Sequence, residues 1–225
     1  MNEYITPYTV IEVICFITAV ICLNKDKEPG WRALILLLFI TCFVEIGTIP
    51  MINMFNKHSI AVNSNAWVYN ILLLLQMGVF TLMFDNILGR FISTRLVTII
   101  SVIVFTLLYL YELFYINKEG IFEYNSITNS FISVLFIIHC LYYYYLILRE
   151  DTYINLKFSA EFWWVTGTLL FYYGNIVCNV FYNVLKQPQY NKAVHYSYII
   201  NTLILILYGC WIYSFICRKW LSKFE

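Results

Sequence analysis

The residues of this sequence that could do chemistry are single polar side chains set inside long apolar runs. Glu45 lies near the middle of one run, and Asn175, Asn179 and Asn183 follow at four-residue intervals in another. A spacing of four places the three amides on one stripe of a helix, with Tyr172 within a turn of them. Amides and tyrosine hydroxyls bind ligands through hydrogen bonds, and Glu45 could also exchange a proton. These residues predict a polar binding pocket and no catalytic centre.

The runs that carry these residues have the length and composition of membrane-spanning helices. The 225 residues are 61% hydrophobic and 12% charged, whereas soluble domains carry about 25% charged residues. Runs of roughly 20 residues match the hydrocarbon core of a bilayer. We predict one all-α domain over residues 1–225, an integral membrane bundle of seven transmembrane helices. The predicted spans are 5–23, 33–54, 66–88, 96–116, 127–148, 160–185 and 196–217.

The basic residues between the runs predict the orientation of the bundle. Ten of them fall on one side of the predicted membrane and four on the other, and every arginine is in the larger set. Basic residues favour the cytoplasmic side, so we expect the N-terminus outside and the C-terminus inside. Amino-acid usage rich in Ile, Asn, Tyr, Phe and Lys is typical of an A/T-rich bacterial genome. We therefore expect a multi-pass protein of the cell inner membrane.

With this orientation, most polar residues within the spans lie at or outside the membrane midplane. Asn70 and Asn201 lie in the outer quarters of their spans, while Gln76 and His139 lie near the middle and could form a polar network. We expect Glu45, Asn70, Tyr172, Asn175, Asn179, Asn183 and Asn201 to face inward and line a ligand-binding pocket that opens outward. Burial disfavours the charged form of Glu45, so this carboxyl is expected to be protonated.

Each polar residue also has a structural interpretation. Asn and Gln hydrogen-bond between membrane helices without binding anything, at about 0.6 kcal/mol on average, and His139 could be a satisfied core histidine. Glu12 and Glu112 lie close enough to the predicted outer boundary to reach the interface by snorkelling. The depth of Glu45 favours a functional role for that residue.

Motifs that would indicate an enzyme, a cofactor or a metal are missing from the sequence. The final span has no lysine for a retinal Schiff base, and the three histidines are isolated, without an H-E-x-x-H pattern. The seven cysteines form no C-x-x-C pair and are expected to be packing residues. We therefore predict no catalytic residue, no metal and no cofactor, and the near-neutral net charge gives no indication of nucleic-acid binding.

Three segments carry a resemblance to known proteins. They are 63–70 (NSNAWVYN), 161–175 (EFWWVTGTLLFYYGN) and 199–201 (IIN). Together they resemble a family of small, uncharacterised bacterial seven-span proteins that are often encoded beside sensor kinases or response regulators. This chain has Gln76 where an acidic residue would be expected in that family. The resemblance implies a sensory or signalling accessory role.

The sequence as a whole favours a receptor-like membrane sensor. A small-molecule or lipid ligand would enter from outside, and a separate cytoplasmic signalling protein would receive the signal, because the chain has no effector domain. Membrane lipid is the other expected partner. One alternative is a small-solute or proton-coupled transporter that uses Glu45, and another is a structural subunit of a membrane complex.

Overall fold

The described part of the chain forms seven α-helices. The computed structural model describes residues 7–57, 66–118, 120–150, 155–180 and 192–221, and it describes the side chains of these ranges except at 48–57, 179–180 and 192–197. The helices are α1 (Pro7–Leu23), α2 (Pro29–Lys57), α3 (Ala66–Leu88), α4 (Arg95–Tyr111), α5 (Ser126–Arg149), α6 (Ala160–Val180) and α7 (Lys192–Ile216). Two π-helical turns, Glu112–Ile116 and Cys217–Leu221, extend α4 and α7. Within the described ranges there is no strand, so the predicted all-α class is confirmed.

Five of the helices are long and apolar enough to cross a membrane. The candidate segments are Pro29–Gly47, Ala66–Leu88, Arg95–Ile116, Ser126–Arg149 and Tyr198–Leu221. α1 is apolar but has only 17 residues, which gives it a length of about 26 Å. α6 is not among the candidates, because its 21 residues include a glutamate, two asparagines and four tyrosine or tryptophan residues.

Six of the helices pack in a ring, and the fourth lies against its outside. α1 packs against α2, α2 against α3, α3 against α5, α5 against α6, α6 against α7, and α7 returns to α1. α4 packs against α3 and α5. Its outward face is apolar, with Leu96, Ile103 and Leu107 among its exposed side chains. Exposed aliphatic side chains of this kind are suited to contact with lipid tails.

The closest packing in the ring joins α6 to α7, and two glycines make it possible. A Cβ atom on Gly167 would lie 2.8 Å from the Cβ of Cys210 and 3.2 Å from the Leu207 carbonyl oxygen. A Cβ atom on Gly174 would lie 2.5 Å from a methyl carbon of Leu203. The two glycines are seven residues apart and so share one face of α6. Small residues let membrane helices approach closely, and this face holds α6 within the ring.

We expect the substitution Gly167→Ala to destabilise the bundle. The added methyl group has to push α6 and α7 apart, and overpacking of this kind costs about 1–3 kcal/mol. The measurement is thermal unfolding of the purified protein in detergent.

Gly209→Ala is the matched control, because a Cβ atom on Gly209 meets nothing within 4 Å. Alanine is the better helix former by up to about 1 kcal/mol, so this control should keep or raise the melting temperature. An equal response of the two variants would contradict the packing described for α6 and α7.

Candidate functional site

A polar cavity of about 810 Å³ opens at one end of the bundle. It lies where α3, α5 and α7 begin and where α6 ends, and we call this the cavity end. The opposite end, which carries Arg90 and Arg218, is called the arginine end. The cavity is lined by Tyr69, Leu72, Leu73, Gln76, Tyr124, Ser126, Asn129, Ser130, Phe171, Tyr172, Asn175 and Ile200.

The cavity lining combines aromatic rings with neutral hydrogen-bonding groups. The Gln76 amide donates a hydrogen bond to the Tyr172 hydroxyl, which ties α3 to α6 at the base of the cavity. Asn175 lies one turn beyond Tyr172 on the same helix. The Tyr69 hydroxyl donates to Glu45 Oε1 at 3.3 Å, which places this carboxyl behind the cavity wall. No charged side chain is found among the described lining residues, so the cavity offers hydrogen bonds and aromatic faces.

Asn70 holds the wall of the cavity in place. Its side-chain nitrogen donates to the carbonyl oxygens of Ile121 at 2.9 Å and Glu123 at 2.8 Å. Its side-chain oxygen accepts a hydrogen bond of 3.0 Å from the backbone N–H of Asn125. These three bonds use both N–H donors and the oxygen of the amide, and they fix the connection that carries Tyr124 into the cavity. The geometry favours a structural role for Asn70, with its effect on a ligand exerted through the α4–α5 connection.

Glu112 fixes the start of α5 through a similar set of hydrogen bonds. Its carboxylate accepts hydrogen bonds from the backbone N–H groups of Ile127 at 2.9 Å and Thr128 at 2.8 Å, and from the Thr128 hydroxyl at 2.7 Å. The first N–H groups of a helix have no partner within the helix, and a negative charge is favourable there. Glu112 is buried and caps α5, so it does not take up the snorkelling alternative left open by the sequence.

A layer of aromatic rings closes the base of the cavity. Phe80 lies at its centre, with ring centroids 4.6 Å from Phe136, 5.3 Å from Trp164, 5.8 Å from Tyr172 and 5.9 Å from Trp211. Phe80, Phe136 and Trp164 are fully buried. Packing of this density separates the cavity from the arginine end.

The arginine end is held by a network of ion pairs. Arg218 contacts Asp26 at 2.8 Å, Glu28 at 3.2 Å and Glu161 at 3.3 Å, and its guanidinium lies 5.2 Å from the centre of the Trp31 ring. Arg90 reaches Glu28 at 3.0 Å and Glu161 at 3.1 Å. The network joins the α1–α2 connection, the turn after α3, the start of α6 and the end of α7.

The Asp26 carboxyl shows the electrostatic effect of this network. Burial opposes its ionisation, but the hydrogen bonds and positive charge of Arg218, with the backbone N–H of Glu28, hold the pKa of Asp26 below its ordinary value. Asp26 therefore contributes stability above the pKa of the unfolded chain, and this contribution is lost as the pH falls through the folded-state pKa. The network is thus complete at neutral pH.

Glu12 joins Glu45 in a second buried cluster, at the junction of α1, α2 and α7. Glu12 is buried, interacts electrostatically with Glu45 and contacts the Tyr208 hydroxyl. The snorkelling alternative left open for Glu12 is therefore also not taken up. Cys15 and Cys42 lie beside the two carboxyls.

The structure brings together only part of the predicted pocket. Gln76, Tyr172 and Asn175 line the cavity, and Glu45 reaches it through Tyr69. The side chain of Asn179 and the whole of Asn183 lie outside the described residues. Asn201 is half-buried on α7, and the cavity lining described above does not include it.

His139 is separated from Gln76 and the cavity. Its Nδ1 donates to the Leu135 carbonyl oxygen at 2.8 Å, as in a satisfied core histidine. Its ring lies against Phe84, with centroids 5.0 Å apart. It borders a groove of about 130 Å³ between α3, α4 and α5, in which the Thr94 hydroxyl donates to Asp85. The predicted network of Gln76 and His139 is therefore not formed.

The first turn of α5 supplies cavity residues that the sequence did not point out. Ser126, Asn129 and Ser130 line the cavity together with Tyr124. Their spacing of three and four residues places them on one helical face, which is a signal the sequence contains. The spacing alone does not indicate a cavity, because polar residues at the end of an apolar run are also expected at the membrane interface.

Comparison with protein-family models, with curated proteins and with solved structures found no match for this chain. The resemblance to small bacterial seven-span proteins therefore stays a prediction. Within the described residues, no group of three or more His, Cys, Asp or Glu side chains could hold a metal ion. The described residues form an all-helical, membrane-type protein, with five helices long and apolar enough to cross a membrane and an open cavity that has neutral polar groups in its lining.

We expect Arg218→Gln to destabilise the arginine end, because the substitution leaves buried carboxylates without their main cation. Removing one partner of a buried ion pair costs about 3–5 kcal/mol, and the partial exposure of this network places the expected loss at or below the lower limit. Thermal unfolding in detergent at neutral pH measures the loss. Arg149→Gln is the control, since Arg149 is exposed on the same end and has no ion pair among the described residues.

The double variant Arg218→Gln/Asp26→Asn separates charge pairing from simple packing. If the two side chains stabilise each other, the double variant should lose less than the sum of the two single losses. Strictly additive losses would show that the pair is not coupled.

Proposed function

We propose that this chain is a receptor-like membrane sensor with seven spans, whose polar cavity opens to the outside and which signals to a separate cytoplasmic protein. The observation that carries the proposal is the difference between the two ends of the bundle. One end holds an open cavity of about 810 Å³, and the other is closed by ion pairs beneath an aromatic layer. A bundle that is open at one end and closed at the other can bind a molecule that arrives from the open end.

The positions of α1 and α6 support seven spans. α6 packs between α5 and α7, and its Tyr172 and Asn175 face the cavity, so these polar groups do not have to meet lipid. α1 packs along α2 and α7, and a helix slightly shorter than the hydrocarbon core is accommodated by local thinning of the bilayer at a modest cost. Both helices can therefore cross the membrane with the five longer ones.

The basic residues support the orientation. Every arginine in the sequence falls at the arginine end or in its connections, and basic residues favour the cytoplasmic side. The cavity then opens to the outside of a bacterial inner membrane. The exposed Lys25, Lys27 and Arg32 are the proposed contact surface for a signalling protein.

The lining supports a neutral, polar ligand with an apolar part, either a small molecule or a lipid headgroup. Ligand pockets commonly measure about 300–1,000 Å³ and combine apolar walls with a few convergent polar groups. The proposed contacts are the neutral groups of Gln76, Asn129, Tyr172 and Asn175. Because α6 and α7 run from the cavity to the ion-pair network, a ligand that moves one helix against the other would alter the arginine end.

A transporter is the second candidate, and one observation favours it. A bundle that is open at one end and closed by ion pairs at the other has the form expected for one state of alternating access. Glu45, behind the cavity wall, would then be the coupling carboxyl. A transporter must also open its arginine end, whereas a sensor need not.

The outward opening of the cavity can be tested with a cysteine at Asn129. We expect Asn129→Cys to react with a membrane-impermeant maleimide added to right-side-out membrane vesicles, since this position lines the cavity. Ile138→Cys, on the outer surface of the same helix, should stay unreactive within the lipid. Arg149→Cys should react only after permeabilisation. Reaction of Asn129→Cys only after permeabilisation would contradict the orientation.

Ligand binding can be tested by screening small polar solutes and lipid headgroups for thermal stabilisation. A ligand at 100 times its Kd stabilises the folded state by about 2.7 kcal/mol. Gln76→Leu and Asn175→Leu should lose the stabilisation, while the lipid-facing control Phe43→Leu should keep it.

Accumulation of the same solute in vesicles would identify a transporter, provided that the variant Glu45→Gln loses this accumulation. A screen without any stabilising compound would argue against a sensor and favour a structural subunit.

A further inference from the structure

Two glutamates of this bundle are equally buried but differ in their hydrogen bonds. Glu12 and Glu112 are each 2% exposed. Glu112 accepts three hydrogen bonds, two of them from backbone N–H groups, as a buried carboxylate requires. Glu12 has the Tyr208 hydroxyl as a hydrogen-bond partner, but its Oε1 has none among the described residues. A bare, buried carboxylate oxygen is strongly unfavourable, so the environment of Glu12 is unsuited to a negative charge.

The groups that face Glu12 add no positive charge. They are Glu45 and Cys42 from α2, Cys15 from α1 itself and Tyr208 from α7, with Tyr69 of α3 beyond Glu45. Among the described residues, none of the groups that act on Glu12 is a cation. One facing group is a second carboxyl, and two carboxyls that share a site cannot easily ionise together.

Burial distinguishes the two carboxyls. Each has a tyrosine hydroxyl as a hydrogen-bond partner, Tyr69 for Glu45 and Tyr208 for Glu12. Glu45 is less buried than Glu12, and Glu12 Oε1 has no hydrogen-bond partner among the described residues. A single negative charge in the pair is therefore best placed on Glu45, with a proton on Glu12, which differs from the protonated Glu45 expected from the sequence.

We propose that Glu12 and Glu45 together form a proton-binding site behind the cavity, with the proton held on Glu12 at neutral pH. Tyr69 connects this site to the cavity, because it both lines the cavity and donates to Glu45. A ligand that displaces the Tyr69 hydroxyl would remove this hydrogen bond and change how the pair holds its proton. This link to a ligand rests on the proposed function, whereas the proton site does not.

Infrared spectroscopy of the full chain in lipid tests the site without any ligand. The measurement is the difference spectrum between wild type and Glu12→Gln at pH 7. We expect the variant to lose the carbonyl stretch of a protonated carboxyl. The matched variant Glu112→Gln should instead lose a carboxylate stretch, and Glu123→Gln, at an exposed glutamate, provides the same reference if Glu112→Gln does not fold. Loss of a carboxylate band in Glu12→Gln would overturn the proposal.

A pH titration of the same band tests the pairing. The measured quantity is the pH midpoint at which the band disappears. Glu45→Gln removes the neighbouring carboxyl, so this midpoint should differ between the variant and wild type if the two carboxyls share a site. An unchanged midpoint would show that the two carboxyls do not share a site. Loss of the wild-type band on adding sodium ions at constant pH would identify a cation site and also overturn the proposal.

Both outcomes are independent of the proposed sensor, because no ligand is present in these measurements. A failed ligand screen with the expected infrared difference would refute the sensor and keep the proton site. Ligand binding together with an ionised Glu12 would support the sensor and refute the proton site.

Discussion

The hydrocarbon interior of a bilayer offers no hydrogen-bond partners, and this constraint accounts for the positions of several polar side chains of the bundle. Polar side chains within the membrane must find partners among the helices or face a cavity that water can enter. Asn70 and Glu112 find partners within the protein, since each makes three hydrogen bonds to the α4–α5 connection or to the start of α5. The neutral groups around Gln76 and Tyr172 instead face the cavity.

The position of α6 makes the separation of the two ends possible. Gly167 and Gly174 bring it against α7, its first turn contributes Glu161 to the ion pairs, and its second half contributes Tyr172 and Asn175 to the cavity. Trp164, between these parts, belongs to the aromatic layer around Phe80. A single helix thus takes part in the closed end, the layer and the open end, which is why the proposed signal is assigned to its movement.

Much of the helical architecture could be predicted from the sequence, because apolar runs of membrane length are a local signal. The predicted span 66–88 coincides with α3 (Ala66–Leu88), and the predicted span 127–148 lies within α5 (Ser126–Arg149). The site was less predictable. Asn70, Gln76 and His139 are all polar and lie in similar apolar runs, yet their roles differ. Asn70 bonds to the α4–α5 connection, Gln76 lines the cavity and His139 bonds to its own helix. Depth in the membrane does not distinguish these roles, because they depend on which neighbour each side chain meets.

The sequence by itself determined that the chain is helical, that its long apolar runs suit a membrane and that its arginines belong to one end. These properties depend on composition and order along the chain. Only the tertiary structure decided that Glu12 meets Glu45, that Arg218 closes the arginine end on Asp26, and that the start of α5 lines the cavity. Arg218 and Asp26 are far apart in sequence, and only the packing of the helices brings such residues together.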